Sequence, residues 1–170
     1  IEEKTRQELI KIFSLDAILT PYLTETQYQI KKDVLEQSFF SLSAVEYGQD
    51  LVSEVYRYAS NASEIAKNIE YDIIHIHDWM TIPAGIIAKK VSGKPLILHI
   101  HSLEKDRSGE GLNKDIFNIE KIGLDEADRI IAVSHYTKNC IINDYQISPD
   151  KIDVVYNAVS ITQQKSISKR

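Results

Sequence analysis

From residue 72 onward the sequence alternates short runs rich in isoleucine, valine and leucine with longer amphipathic stretches, and this alternation constrains the fold more than any other feature. The runs are Asp72 to His77, Pro95 to His101, Arg129 to Val133 and Lys151 to Tyr156, each of strand length. Helices are expected between them at about residues 81 to 91, 113 to 126 and 135 to 146. Gly93 and Pro95 close the first of these, and Ser134 is placed to cap the last. A strand followed by a helix must return along the sheet before the next strand begins, so a βαβαβαβ order makes the strands parallel. Parallel strands of near-continuous aliphatic content are buried on both sides. The expectation is an α/β fold: a Rossmann-like, doubly wound parallel sheet with helices on both faces.

Ahead of the alternation, Leu51, Val52, Val55, Tyr58, Ala59, Ala62, Ile65, Ala66 and Ile69 recur at three- and four-residue spacing. That is an amphipathic helix within Tyr47 to Ile69. The first 46 residues show helical character in Ile1 to Phe13 and a short apolar stretch, Ala17-Ile18-Leu19, ended by Pro21. Ser160 to Arg170 is polar and reads as a tail or linker. The domain reading is therefore a partial N-terminal segment at 1–46, a Rossmann-like domain at 47–159 and a tail at 160–170.

Composition then removes function classes. The 20 Lys+Arg against 25 Asp+Glu give a formal charge of -5, which offers nucleic acid or anionic lipid no general attraction. No apolar run approaches the roughly 18 uncharged residues of a membrane-spanning helix, so no membrane span is expected. Cys140 is the only cysteine, which excludes an intrachain disulfide and a multi-cysteine metal site and fits a reducing, cytoplasmic compartment. The chain starts at Ile1 without an apolar targeting segment, and at 170 residues it is small for an enzyme that encloses two substrates. A piece of something longer is expected.

All five histidines fall between His75 and His135, and four form two His-x-His pairs, His75/His77 and His99/His101, at the carboxyl ends of expected strands. Residues two apart on a strand share a face, so each pair presents two imidazoles together. In open parallel sheets ligands bind beyond the carboxyl ends of the strands. The same rim collects Asp78 and Trp79, the loop Ser102 to Leu112, Ser134 and Asn157. His75 and His99, inside their strands, are expected in the core or facing helices, each with one hydrogen bond. His77 and His101, at the exits, are the candidates for chemistry. Asp78 can cap the following helix, bind substrate or do both, and Trp79 can pack the strand exit or offer an aromatic face. The charged loop lacks both phosphate-cradle spacings, although Lys105 and Arg107 can meet an anionic group.

Two chemistries suit this rim. A metal site would use the imidazoles with Asp78, but His77 is followed by Asp78-Trp79-Met80, without the third histidine a His-x-His-x-Asp-His hydrolase site needs. Sugar binding and transfer need short acceptors, imidazole or hydroxyl donors and an aromatic face, all of which the rim supplies.

Tyr71 to Trp79, Pro95 to Glu104, Ala127 to Ser134 and Pro149 to Ala158 together resemble the N-terminal domain of glycogen-synthase-like retaining glycosyltransferases of the GT-B fold. The resemblance covers about residues 47 to 159. It implies a nucleotide-sugar donor of the UDP- or ADP-glucose type, a glucan or other sugar acceptor, transfer of a hexosyl unit with retention, and no metal or other cofactor. By the resemblance, His101 faces the transferred sugar and Asp78 lies near the reacting centre. His77, Trp79, Ser102, Arg107, Ser134 and Tyr136 border the substrate. Asn157 to Val159 is similar to an Asn-Gly-Val segment leading into a second domain, with Ala158 in the glycine's place. Before Tyr47 there is no glycine, so the family's glycine-rich first loop has no counterpart. The C-terminal domain that grips the donor diphosphate is also missing, and the chain alone is expected to be inactive. The alternatives are a non-catalytic sugar-binding module or remnant, a metal-dependent hydrolase using the His-x-His pairs, and a sugar-phosphate epimerase of related fold.

Overall fold

A computed structural model describes residues 11–38, 47–109 and 111–158. In chain order its elements are α1 (Glu25–Ser38), α2 (Leu51–Asn68), β1 (Ile74–His77), α3 (Asp78–Ser92), β2 (Leu96–Ile100), α4 (Glu104–Ser108), α5 (Lys114–Glu126), β3 (Arg129–Ala132), α6 (His135–Tyr145), a 3-10 turn (Pro149–Lys151) and β4 (Ile152–Val154). The four strands pair in parallel in the order β1-β2-β3-β4.

Register and the two-residue period of a strand sort the side chains onto two faces. Ile74, Ile76, Leu96, Leu98, Ile100, Ile130, Ala132 and Ile152 share one face and are all buried. Each large aliphatic chain removed from water there contributes roughly 1.5–3 kcal/mol before the cost of ordering it. Helices α3, α5 and α6 cover this face. A Cβ on Gly85 of α3 would come within 2.6 Å of Ile76, and one on Gly123 of α5 within 2.5 Å of Ile82 in α3. Phe117 of α5 stacks on Tyr145 of α6 with ring centroids 4.6 Å apart.

The opposite face carries His75, His77, Ile97, His99, Arg129, Ile131 and Asp153. The α/β class with a parallel sheet is the one the sequence leads to, but among the described residues the second face has no helical layer. His75 and His77 are exposed, and Ile97, His99 and Ile131 are half-buried. Topology explains the one-sidedness. Every crossover steps to the next strand in the same direction, and right-handed crossovers then place each helix on the same side.

The helix ends follow local chemistry. Gly93 closes α3 in the left-handed region, at φ 69°, where a side chain is disfavoured. Ser134 Oγ accepts the Thr137 amide at 3.0 Å, and Asn113 Oδ1 accepts those of Asp115 and Ile116. Part of the N-terminal segment is docked by a buried carboxylate. Glu54 of α2 accepts the amides of Ile18 at 3.1 Å and Gly48 at 2.9 Å and is paired with Arg57. Its burial pushes the carboxyl pKa up, but the Arg57 bond and these amides outweigh that and hold it below the ordinary value. Helical character is expected at Ile1 to Phe13. Residues 1–10 of that stretch lie outside the described residues and 11–13 are not helical, whereas α1 forms farther on. The polar stretch at 160–170 also lies outside them.

Candidate functional site

The site is built where β1 and β2 end. No loop separates β1 from α3: Asp78 is the first helical residue, at φ 54°, a backbone region uncommon for anything but glycine. That turn aims its carboxylate across the sheet. Asp78 Oδ1 accepts the backbone amides of His101 at 2.7 Å and Ser102 at 3.4 Å. Of the two roles open to Asp78, capping is not the one it takes: His77 stands at the cap position with no side-chain cap bond. Thr81 serves the turn instead, its hydroxyl accepting the His77 amide at 2.9 Å and donating to the His77 carbonyl at 2.6 Å. Among the described residues Asp78 Oδ2 has no hydrogen bond.

Asp78 thus ties the two strand exits, and the side chains of His77 and His101 meet over the tie. His77 Nδ1 and His101 Nε2 are 3.0 Å apart, one ring donating and the other accepting according to tautomer. The four rings of the two pairs form one cluster. His99 lies 4.3 Å from His101, 5.0 Å from His77 and 5.6 Å from His75, centroid to centroid. Burial, followed by the neighbouring imidazoles, pulls His99 down to about 4 and lowers His77 as well. Both rings are therefore neutral at pH 7. The expectation that His75 and His99 are core histidines with one hydrogen bond each is corrected. His75 is exposed, while both nitrogens of His99 are buried without a partner. The exposure of His75 follows from the open face.

The remaining residues divide. Trp79 is only 5% exposed and belongs to the core, so its expected role as an aromatic face for substrate is corrected in favour of packing. Arg107 donates to the Ser102 carbonyl and hydroxyl at 3.1 and 2.9 Å, to Glu104 at 3.2 Å and to Glu120 at 3.1 Å. These bonds shape the segment after β2, which is not the uninterrupted loop expected over Ser102 to Leu112, since α4 forms within it. Glu120, fully buried, also accepts the Glu104 amide at 2.9 Å and the Tyr145 hydroxyl at 2.5 Å. Burial raises its carboxyl above the ordinary value although every one of these bonds opposes the rise. Lys105 is paired with Asp144.

At the β3 exit Ser134 caps α6, and Tyr136 is 68% exposed with its hydroxyl donating to Asp106 at 3.2 Å. Hydrogen bonds therefore join His77, Asp78, His101, Ser102 and Arg107 directly, while Tyr136 bonds Asp106 of α4 and Ser134 bonds Thr137 of its own helix. Glu120 and Tyr145 do not stand out in the sequence. Their signal, an acid and a phenol on the apolar sides of successive helices, becomes readable only once α5 and α6 are known to pack together.

A rigid strand-end rim bearing a coupled imidazole pair and a carboxylate with a free oxygen is suited to gripping hydroxyl groups. A family model described as Glycosyltransferase Family 4 matches residues 43–163. An uncharacterized glycosyltransferase of Methanocaldococcus jannaschii is 35% identical over 95 residues, 54% of this chain and 24% of that protein. An alpha-maltose-1-phosphate synthase of Mycolicibacterium smegmatis is 31% identical over 97 residues, 53% of this chain and 25% of that protein. The crystal structure of Anabaena HepE in complex with UDP-glucose superposes with a TM-score of 0.45 at 21% identity, over 75% of this chain and 33% of that one. The chain spans about a quarter of the length of the curated relatives it matches. No described helix is long and apolar enough to cross a membrane.

Proposed function

The chain belongs to Glycosyltransferase Family 4, and on that premise we propose that it is the acceptor-side part of an enzyme moving a hexosyl unit from a nucleotide sugar to a sugar or glucan acceptor with retention at the anomeric carbon. The observation that carries the reading is the Asp78 bridge between the β1 and β2 exits, with the His77–His101 pair held above it. With its Nε2 engaged by His77, His101 keeps Nδ1 to meet a hydroxyl of the transferred sugar. Asp78 holds the His101 backbone through Oδ1 and has Oδ2 left for a sugar hydroxyl. Ser102, held by Arg107, Ser134 and Tyr136 border the acceptor.

A second domain supplies the grip on the nucleotide diphosphate. Positioning of two substrates and stabilisation of a departing diphosphate are large contributions to such chemistry, so transfer needs both domains. No step of the transfer is assigned to a metal or other cofactor. A relative that makes maltose 1-phosphate is consistent with a glucosyl donor and a phosphorylated sugar acceptor, which is the acceptor class we favour.

The test is made in the complete polypeptide. His101→Ala and Asp78→Ala are each expected to lower turnover with a nucleotide sugar at least a hundredfold while the melting transition of the His101 variant stays close to wild type. Turnover near wild type for both variants would remove the site assignment. Sugar binding by the complete polypeptide with no transfer to any acceptor would favour the binding-module reading instead.

A further inference from the structure

The histidine cluster contains more than transfer chemistry needs. His75 and His77 project from one face of β1 two residues apart, and His99 stands in register with His77 on the adjacent strand. Each of these three rings offers a nitrogen, and the three nitrogens lie within 4.8 Å of one another. A second observation is independent of that spacing. Both nitrogens of His99 are buried without a hydrogen-bond partner, and a neutral imidazole left so forgoes a donor and an acceptor at once. Stacking with its neighbours satisfies neither nitrogen.

We propose that His75, His77 and His99 form a three-imidazole binding site for a borderline divalent transition-metal ion of the Zn²⁺ class. Two His ligands from one strand at i and i+2 and a third from the neighbouring strand give three donors on one side of an ion, with the remaining position open toward the exposed face. Two nitrogens bound at 2.0–2.1 Å to a tetrahedral ion are about 3.3 Å apart, so nitrogens now within 4.8 Å need to close by at most about 1.5 Å, and His75, stacked on His77 and His99, must turn so that the three lone pairs converge. His101 acts as the outer partner. If His77 donates its Nδ1 proton to His101 Nε2, its own Nε2 lone pair is left for the metal, the arrangement by which an outer-shell acceptor fixes the tautomer of a ligating histidine. The cluster itself holds neither thiolate nor carboxylate, so the donor set is all imidazole. That selects Zn²⁺, Ni²⁺ or Cu²⁺ over Mg²⁺ and Ca²⁺, which take oxygen. The inference does not rest on the transfer reading, and the ion has no role in that reaction.

The experiment uses the untagged 170-residue chain at pH 7.5, dialysed against ZnCl₂ or MgCl₂ and measured for retained metal and, by calorimetry, for affinity. One Zn²⁺ per chain and no Mg²⁺ is expected. His77→Ala and His99→Ala should each weaken Zn²⁺ at least tenfold, and His135→Ala, outside the cluster, should leave it unchanged. A variant that fails to fold is replaced by the wild-type chain titrated with Zn²⁺ under NMR, where the imidazole signals of His75, His77 and His99 should move together and that of His135 should not. Absence of stoichiometric Zn²⁺, an affinity indifferent to His77 and His99, or imidazole shifts confined to His135 would each overturn the proposal.

Discussion

Asp78 Oδ1 and the backbone N–H of His101 are 2.7 Å apart, although 23 residues of chain separate them. The bond joins the exits of neighbouring strands with one helix between them in sequence, and it fixes where the His101 side chain leaves the sheet. Removing the acceptor leaves a partly buried amide unpaired, and alanine is also less at ease than aspartate in the left-handed region. Asp78→Ala is therefore expected to cost about 2 kcal/mol by thermal or denaturant unfolding, and Asp78→Asn, which keeps an oxygen and tolerates the backbone, about half as much. Equal losses for the two would mean that the bond contributes nothing.

The approach of α5 to α3 is set by Gly123. In an exposed helix Gly→Ala is stabilising by roughly 0.5–1 kcal/mol, but here the new methyl would lie 2.5–2.8 Å from three carbons of Ile82, a side chain 1% exposed. Steric cost wins. Gly123→Ala should lose about 1–3 kcal/mol, and the Ile82→Val background should recover part of that loss in a double-mutant cycle. Additive losses would place the strain elsewhere.

Two buried carboxylates should tilt the pH dependence of stability in opposite directions. Glu54 has its folded pKa lowered, so its contribution is present above the ordinary carboxylate value and is lost as pH falls through the folded one. Glu120 has its folded pKa raised, so its contribution is full below the ordinary value and is lost as pH rises through the folded one. Denaturant unfolding between pH 3 and 8 is the measurement. Glu54→Gln should flatten the acid limb, whereas Glu120→Gln should remove a decline on the neutral side. Identical profiles for the two variants would refute the assignment of opposite shifts.

His99 should titrate by NMR near 4, well below an ordinary imidazole. Between that value and about 6.5 the unfolded chain binds a proton that the folded chain excludes, so stability rises with pH across this window and is fully present above it. His99→Phe, similar in shape and without a charge to acquire, should reduce the slope. A His99 resonance titrating near 6.5 would show that the ring is solvated in solution.

Much of this was legible in the residues. Aliphatic runs and helical spacing located all four strands and the crossover helices, because both periods depend only on local geometry. The placement of His77, Asp78 and His101 at strand exits followed from the same reasoning. What escaped depended on contacts distant in sequence. Whether Asp78 caps its own helix or reaches β2 turns on a single left-handed residue that no spacing encodes. The role of Trp79 turns on which way α3 faces. The exposure of His75 could not be read either, since an alternating Ile-His-Ile-His run is compatible with a sheet covered on one side or on two, and only the strand order decides.

That strand order also bears on how the domain is made. Among the described residues β2, β3 and β4 each pair with the strand synthesised just before them, with partners 22 to 32 residues apart, so each of these pairing steps closes a short loop. The sheet can therefore grow outward from β1 in the order of translation, adding one strand and one covering helix at a time as the chain leaves the ribosome.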